Sequence, residues 1–383
     1  MNILIVSKCP THPTTAGNRY GILAQAEKLK SMGNDVHFLF VYEPALHKNL
    51  RGDALNDIKA TKEYWGDHYH QFTVGSIQKY KMIFLKYFRK YFCNMHYKVD
   101  DEYPYGVEKL VNKLDGQYHF DICIVNYYYM SRLFEYINIP KTAIFTHDCF
   151  AYKNIKIGQQ VLCTTADTEA KAMQRCKHIF AVQDIEAAYF QILSPKSKVY
   201  NIYGAYSYHP QKISGNHNIV FLSGGNPYNQ HGLKWFLSEV FPLIRKRFPD
   251  IRLLIGGSIS NTLKGQDIAN VEVQGFVDDP AIFYAQGDVC INPCYQGTGL
   301  KIKTFEAISY DKVTMVHPHS MEGIYKPDEA PIFASAEPIQ WVKFLEQVWG
   351  DPIQIEKIKQ QNKIYLDRME AFVDKEYQRF LKD

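Results

Sequence analysis

The densest set of chemically useful side chains lies in residues 297–307, which read GTGLKIKTFEA and follow the short apolar run 289–293. This order predicts a strand, a glycine-rich loop and a helix whose first turns carry Lys303 and Glu306. A helix N-terminus offers unpaired N–H groups and the positive end of the helix dipole, which suits a phosphate. Lysine adds positive charge for the same anion, and a carboxylate one turn further along can accept hydrogen bonds from ribose hydroxyls. The combination indicates a nucleotide diphosphate site rather than a metal site or a nucleophile.

Two similar stretches of chain must position these residues. Residues 2–41 read as strand, glycine loop, helix and strand, and residues 218–255 repeat that order. Continuous apolar strands that alternate with helices are typical of parallel sheets covered on both faces. We therefore expect an α/β protein with two Rossmann-like doubly wound domains, residues 1–203 and 218–352, joined by a linker over 204–217.

The last part of the chain, residues 353–383, is highly charged and has a helical period. We expect it to form a helical tail that packs back toward the first domain.

Composition agrees with a soluble globular protein. The 383 residues are 46% hydrophobic and 22% charged, and a net charge of +4 gives no support for nucleic-acid binding. The eight cysteines form no CxxC pair, which favours reduced thiols over zinc or disulfides. We expect no signal peptide, and no run approaches the roughly 20 apolar residues of a membrane span. These features predict a cytoplasmic protein.

Short motifs recur in a specific order along most of the chain. They are TAGNR at 15–19, THD at 146–148, GGN at 224–226, GFVDD at 275–279, YAQGD at 284–288 and the loop-helix 297–307. Together these motifs resemble those of GT-B glycosyltransferases, closest to the family-4 retaining enzymes that use nucleotide sugars.

The resemblance implies that the two domains face each other across a cleft. The nucleotide sugar would bind mainly to the second domain and the acceptor mainly to the first. The reaction would transfer a sugar to a hydroxyl of a glycan or lipid-linked acceptor, with retention, in bacterial surface-glycan biosynthesis. The nucleotide sugar would be a co-substrate, with no further cofactor and no metal.

The resemblance also assigns donor-binding roles. Glu306 would bind the ribose hydroxyls, and Lys301 and Lys303 would counter the diphosphate charge. The family usually carries a glutamate where this chain has Thr298, so no carboxylate stands there, although a threonine can still hydrogen-bond a sugar or phosphate oxygen. The remaining predicted donor-binding residues are Gly17, Asn18, Gly225, Asn226, Gly299 and Leu300.

Two further candidates follow an apolar strand at its carboxyl end, where open α/β sheets bind their ligands. These are His147 and Asp148. By resemblance His147 would contact the transferred sugar near the acceptor, and Asp148 would orient it or contact the acceptor. The alternative for His147 is a core histidine with satisfied hydrogen bonds.

The acidic pairs do not read as metal sites. Asp279 precedes Pro280 at a predicted helix start, where aspartate caps N–H groups. Residues 100–102 read as a charged surface turn. We therefore expect metal-independent transfer.

Other functions remain as alternatives. A nucleotide-sugar epimerase or hydrolase of the same architecture would need a set of cleft carboxylates, which we do not find. The missing first glutamate leaves open a degenerate protein that only binds glycans. A nicotinamide oxidoreductase would need Gly-x-Gly-x-x-Gly after a strand, and residues 7–10 read SKCP instead.

The aromatic excess concentrates in residues 79–92, which read KYKMIFLKYFRKYF. The aromatic residues recur at helical spacing, and lysine and arginine fill much of the remainder. One interpretation is a helix that buries its aromatic stripe in the first domain. The other is an interfacial helix that rests on an anionic membrane and brings the enzyme to a lipid-linked acceptor.

Overall fold

The computed structural model describes residues 1–14, 17–44, 54–93, 98–157 and 164–383. Thr15 and Ala16 of the TAGNR motif, and Cys163, lie outside these ranges. The chain divides into two units, one formed by Met1–Ala205 with Lys375–Asp383 and the other by Tyr206–Asp374.

The first unit is built on a seven-stranded parallel sheet of order β3-β2-β1-β4-β5-β6-β7. Its strands are β1 Asn2–Ser7, β2 Asp35–Tyr42, β3 Tyr69–Thr73, β4 Ile122–Asn126, β5 Lys141–Phe145, β6 His178–Ala181 and β7 Lys198–Asn201. Its helices are α1 Gly17–Ser31, α2 Ala54–Trp65, α3 Ser76–Phe88, α4 Val107–Tyr118, α5 Phe150–Ile157, α6 Ala166–Met173 and α7 Asp184–Leu193. The central strands are apolar on both faces because helices pack on each side of the sheet.

The second unit is built on a six-stranded parallel sheet of order β10-β9-β8-β11-β12-β13. Its strands are β8 Ile219–Leu222, β9 Leu253–Gly256, β10 Val271–Gly275, β11 Val289–Asn292, β12 Val313–Val316 and β13 Ile332–Ala334. Its helices are α8 Pro227–Trp235, α9 Phe241–Arg247, α10 Pro280–Tyr284, α11 Ile302–Ser309, α12 Pro338–Gly350 and most of α13 Pro352–Lys382. Trp341 of α12 is fully buried in the core of this unit.

The end of α13 completes the core of the first unit. The ring of Phe380 lies 4.6 Å from that of Phe180, centroid to centroid. The Lys141 Nζ donates to the carbonyl oxygens of Phe380 at 2.9 Å and Leu381 at 3.2 Å. The last residues of the predicted tail are therefore part of the first unit.

The structure confirms the predicted α/β class with two doubly wound parallel sheets. The predicted linker 204–217 lies mostly in the second unit, which begins at Tyr206, and the predicted tail 353–383 is divided at Asp374. Among the described helices, none has the length and apolarity that a bilayer span requires. The seven described cysteines are all free thiols.

One acidic segment was predicted wrongly as a surface turn. Asp100 is only 3% exposed, and its carboxylate binds the guanidinium groups of Arg132 and Arg175 at 2.9 and 2.7 Å. By contrast, the predicted cap is confirmed, since the Asp279 carboxylate accepts the Ala281 N–H at 2.8 Å.

Candidate active site

The glycine-rich loop after β11 is held against α8 by close backbone contact. A Cβ atom added at Gly232 of α8 would lie 2.8 Å from both the Cα of Cys294 and the carbonyl oxygen of Pro293. Only glycine permits this approach. Gly297 and Gly299 have φ angles of +106° and +76°, which other residues rarely adopt. The loop therefore has a defined path before α11 begins.

Lys303 lies in the first turn of α11 and points toward the start of α8. Its Nζ donates to the Oδ1 of Asn229 and lies 3.5 Å from the Sγ of Cys294. Asn229 in turn donates its Nδ2 to the carbonyl oxygen of Gly224 at 2.8 Å. No carboxylate in the described part of the chain forms an ion pair with Lys303. Its positive charge therefore stands beside the loop after β8, and no carboxylate of that part of the protein lies within ion-pair distance, although Glu306 is close enough to interact with it electrostatically.

The predicted loop residues 298–301 differ in how they are held. The Thr298 Oγ1 is buried and has no hydrogen-bond partner among the described residues. Leaving a buried hydroxyl unsatisfied costs about 1–3 kcal/mol, so its position indicates a polar ligand. The Lys301 side chain is largely buried, and its Nζ lies 3.3 Å from the carbonyl oxygen of Gly299. Leu300 between them is half-buried.

Glu306 lies one turn beyond Lys303 on α11 and is half-buried. Burial raises the pKa of its carboxyl group to about 7, and the nearby Lys303 ammonium acts in the opposite direction. Within the described ranges its carboxyl group forms no hydrogen bond. Burial and the Glu306 charge hold the pKa of Tyr284 well above its usual value, and the Tyr284 hydroxyl is likewise buried without a described partner. The half-buried Glu306 carboxyl group is thus available to polar ligand atoms, whereas Tyr284 is fully buried.

Gly225 and Asn226 have local structural contacts in this unit. The Oδ1 of Asn226 accepts the Asn229 N–H at 3.0 Å and so caps α8. The Gly225 N–H donates to the Oγ of Ser258 at 2.9 Å, and a Cβ atom at Gly225 would lie 2.9 Å from the Ser258 carbonyl oxygen. The two residues therefore fix the start of α8.

In the first unit, His147 follows β5 with a backbone φ of +62°, which is uncommon for a residue with a Cβ. Its Nε2 is 2.8 Å from the Oδ1 of Asn126, and its ring stacks on Tyr127 with the centroids 4.4 Å apart. Burial lowers the pKa of His147 to about 3, so the imidazole is neutral at physiological pH. Its Nδ1 faces Gly21 of α1, where an added Cβ atom would lie 3.6 Å away. The ring is thus held in one orientation by uncharged partners.

Asp148 is engaged with the start of α5. Its Oδ2 pairs with the Nζ of Lys153 at 2.6 Å, and its Oδ1 accepts the Cys149 N–H at 2.9 Å. The described structure contains no hydrogen bond between Asp148 and His147. The predicted role of Asp148 in orienting His147 is therefore not seen, and the side chain that hydrogen-bonds to His147 is that of Asn126.

Gly17 and Asn18 begin α1. The Nδ2 of Asn18 lies 3.3 Å from the Sγ of Cys9, and its Oδ1 accepts the Arg19 N–H at 2.9 Å. The structure therefore brings together Gly225, Asn226 and residues 298–306 in the second unit. Gly17, Asn18, His147 and Asp148 belong to the first.

Three residues around the second-unit site were not predicted from the sequence. Asn229 binds Lys303, the ring of Tyr228 lies 3.6 Å from the position of a Cβ at Gly297, and the Nε2 of His319 lies 3.0 Å from the Gly297 carbonyl oxygen. None belongs to a recognisable motif. For Asn229 and Tyr228, the sequence indicated only that they follow the apolar run of β8 and lie at the start of a helix.

The helix over residues 79–92 has its aromatic stripe on the outside. It comprises α3 and the π-helical turn Arg89–Cys93, and within it Met82 alone of the described side chains is buried. The exposed apolar side chains are Tyr80, Ile83, Phe84, Tyr87, Phe88, Tyr91 and Phe92. Arg89 holds the inner face, since its Nη1 donates to the Tyr105 hydroxyl at 2.8 Å. The interpretation that this helix buries its aromatic residues is wrong.

Comparison with known proteins gives a consistent result. Residues 216–351 match the family model described as glycosyl transferases group 1. The chain is 23% identical over 349 residues to an uncharacterized 44.6 kDa protein in the cps region of Klebsiella pneumoniae, with 80% of each chain covered.

Solved structures are similar over the whole chain. Sucrose-phosphate synthase from Thermosynechococcus elongatus has a TM-score of 0.68 at 12% identity, with 100% of this chain and 98% of that chain covered. Anabaena Alr3699/HepE in complex with UDP has a TM-score of 0.65 at 12% identity, with both chains fully covered. The fold is that of the GT-B glycosyltransferases, and the predicted resemblance is confirmed at the level of the fold.

Proposed function

We propose that this chain is a group 1 glycosyltransferase that transfers a sugar from a nucleotide-diphosphate sugar to an acceptor hydroxyl, and the match over residues 216–351 supports this assignment. The observation that carries the proposal is the position of Lys303. Its ammonium group lies beside the start of α8 and the N-terminus of α11, and no described carboxylate forms an ion pair with it. Phosphate oxygens would complete the environment of this charge.

The donor would be held by groups with separate tasks. Lys303 and Lys301 would bind the diphosphate and stabilise the negative charge that develops when the nucleotide leaves. The Thr298 hydroxyl would donate a hydrogen bond to an oxygen of the nucleotide sugar. This bond would satisfy a buried hydroxyl that has no described partner. The Glu306 carboxyl group would accept hydrogen bonds from the ribose hydroxyls. Because position 298 carries no carboxylate, no negative charge there opposes the diphosphate.

His147 would contribute a neutral, fixed ring to sugar or acceptor binding rather than a charge. Its low pKa means that the ring can donate or accept a hydrogen bond at neutral pH but does not act as a cation. We assign it to positioning the transferred sugar. Retention of configuration is inferred from the family resemblance, and transfer is proposed to need no metal.

The acceptor is proposed to be a glycan or a lipid-linked glycan of a bacterial surface polysaccharide. The relative from the cps region of Klebsiella pneumoniae supports this setting. The exposed aromatic stripe of α3 supports peripheral attachment to an anionic membrane. Tyr91 and Phe92 are 66% and 79% exposed, and Lys79, Lys81 and Lys90 are exposed on the same segment. Aromatic rings suit the headgroup region, and the lysines complement anionic lipid.

The donor proposal is tested by calorimetric titration of UDP, GDP and CDP into the full chain and into a Lys303→Met variant. Loss of a charge-assisted contact should weaken binding of the preferred nucleotide by about 1.5–3 kcal/mol, or roughly 10- to 150-fold. Lys234→Met, which removes an exposed lysine of α8, is the matched control and should change affinity little. If the parent and Lys303→Met bound every nucleotide with the same affinity, the assignment would be refuted.

The membrane proposal is tested by sedimentation with vesicles that contain or lack anionic lipid. Replacing Lys79 and Lys90 by Gln should weaken binding by about 2 kcal/mol, or ~30-fold, because each exposed basic residue contributes about 1 kcal/mol. Phe92→Ser should also weaken it, whereas Phe276→Ser, which removes a 76% exposed ring of the second unit, should not. Absence of binding to anionic vesicles at low salt would favour a soluble acceptor and leave the donor proposal intact.

A further inference from the structure

A cluster of imidazole and carboxylate groups lies at the amino-terminal end of the first sheet. Asp35 is the first residue of β2, and His37 follows two positions later on the same strand. His68 ends the short 3-10 turn Gly66–His68, and His70 is the second residue of β3. The parallel pairing of β2 with β3 places all four residues at one end of the sheet. His147 lies at the opposite end of the sheet, after the carboxyl end of β5.

The distances within the cluster are those of a shared site. The His68 Nε2 lies 2.8 Å from the Asp35 Oδ1, and the His37 Nε2 lies 3.6 Å from the Asp35 Oδ2. One ligand atom from each of these three residues can be chosen so that all lie within 4.8 Å of one another. Ligand atoms on a tetrahedral zinc ion are roughly 3.4 Å apart, since each lies about 2.1 Å from the metal. Rotations of the exposed His68 and Asp35 side chains would be needed to bring the set to that spacing.

His70 supplies the outer hydrogen bond that metal-binding histidines usually have. Its Nε2 is 3.0 Å from the Nδ1 of His37. When the His37 Nδ1 donates to His70, the lone pair of His37 lies on Nε2, the atom that faces Asp35. An imidazole fixed in this tautomer by its other nitrogen is the arrangement typical of zinc ligands.

The surroundings fix His37 more firmly than the other two ligands. His37 is 3% exposed, and its ring lies 4.3 Å from the Tyr118 ring and 5.3 Å from the Phe120 ring, centroid to centroid. The Asp35 and His68 side chains are 52% and 44% exposed. The site therefore has one rigid inner ligand and two outer ligands that solvent and a metal ion can reach.

We propose that Asp35, His37 and His68 bind a divalent transition metal of the zinc class, with His70 as the residue that orients His37. Two nitrogen ligands favour this class over Mg²⁺ or Ca²⁺, which prefer oxygen ligands. Three protein ligands leave one position for water. The ion would connect β2 to the turn that leads into the edge strand β3. This site is separate from the donor site and does not rest on the proposed transfer reaction.

The test is zinc binding to the tag-free full chain, measured by competition with a chromophoric chelator. One zinc ion should bind per chain, and saturation should raise the melting temperature by about 5 °C, whereas Mg²⁺ should not. His68→Gln should weaken zinc binding at least tenfold, and because His68 is exposed this variant should remain folded. His70→Phe should weaken zinc binding by about 10- to 100-fold without removing a metal ligand.

A matched variant and a spectroscopic probe complete the experiment. His217→Asn removes an exposed histidine of the second unit, at a backbone φ of +53° that asparagine tolerates, and should leave the affinity unchanged. Co²⁺ should give a tetrahedral or five-coordinate visible spectrum without a thiolate charge-transfer band. Zinc affinity that is unchanged in His68→Gln, or a thiolate band in the cobalt spectrum, would overturn the proposal.

Discussion

Replacement of Glu306 by Gln should make the protein more stable at alkaline pH while it weakens nucleotide binding. In the folded protein the pKa of this carboxyl group is about 7, against an ordinary value of 4.5, because the group is buried. The folded state therefore holds the proton more tightly than the unfolded state. The stabilisation of the folded state by this proton is complete below pH 4.5 and is lost as the pH rises to 7 and above.

The magnitude follows from the difference of the two pKa values. At 1.36 kcal/mol per unit, the ionised carboxylate lowers the free energy of unfolding by at most about 3 kcal/mol above pH 7. Partial exposure of Glu306 reduces this figure by solvent screening. Glutamine removes the ionisation, so Glu306→Gln should exceed the parent in stability by up to that amount at pH 8. Most of the difference should disappear by pH 5, where the folded parent is largely protonated.

The assay is urea unfolding of parent and variant at pH 8 and pH 5, without nucleotide. Glu239→Gln, which alters an exposed glutamate of the same unit, should stay within about 0.5 kcal/mol of the parent at both pH values. Nucleotide affinity at pH 8 should fall in Glu306→Gln but not in the control. A stability difference that is the same at both pH values would refute the argument that burial of this carboxyl group controls its ionisation.

Three other substitutions test the geometry of the proposed site. Thr298→Val should leave stability unchanged or slightly raised, since it removes a buried hydroxyl without a described partner, and should weaken nucleotide binding in titration calorimetry by about 0.5–1.5 kcal/mol. Gly232→Ala should lower the free energy of unfolding by about 1–3 kcal/mol, because its Cβ would lie 2.8 Å from the Cys294 backbone; a neutral result would mean that α8 can move away. His147→Asn should reduce sugar transfer while nucleotide affinity is retained, because asparagine tolerates the φ of +62°; unfolding of this variant would favour a purely structural histidine.

The central strands of both sheets were predictable because each is a continuous apolar run. β3 and β7 lack such a run, and both are edge strands of the first sheet. β3 reads YHQFT and has no fully buried residue, while β7 has four residues of which one is buried. Edge strands are covered on fewer sides, so their sequences lack the signal that identifies the interior ones.

For the candidate site, the sequence indicated the residue types but not their contacts. Lys303 and Glu306 were identified by their place after a glycine loop, whereas Asn229 is 74 positions from the lysine that it binds. The segment 79–92 shows the same limit. Its period predicts a helix, but Met82 and Leu85 form a second apolar stripe at helical spacing, and that shorter stripe faces the core. The choice between two stripes depends on neighbours that are distant in the chain, among them Tyr105.

The discontinuity of the first unit has a consequence for biosynthesis. Phe380 packs on Phe180 and Tyr200, and Asn201 donates its N–H to Glu376 at 2.9 Å. A ribosome that has made Ala205 must still synthesise residues 206–374 before these contacts can form. During that interval the nascent unit exposes the apolar surface that α13 later covers, so we expect it to be prone to aggregation. Expression of residues 1–205 alone should accordingly give a poorly soluble fragment, and a separately supplied peptide of residues 375–383 should improve its folding.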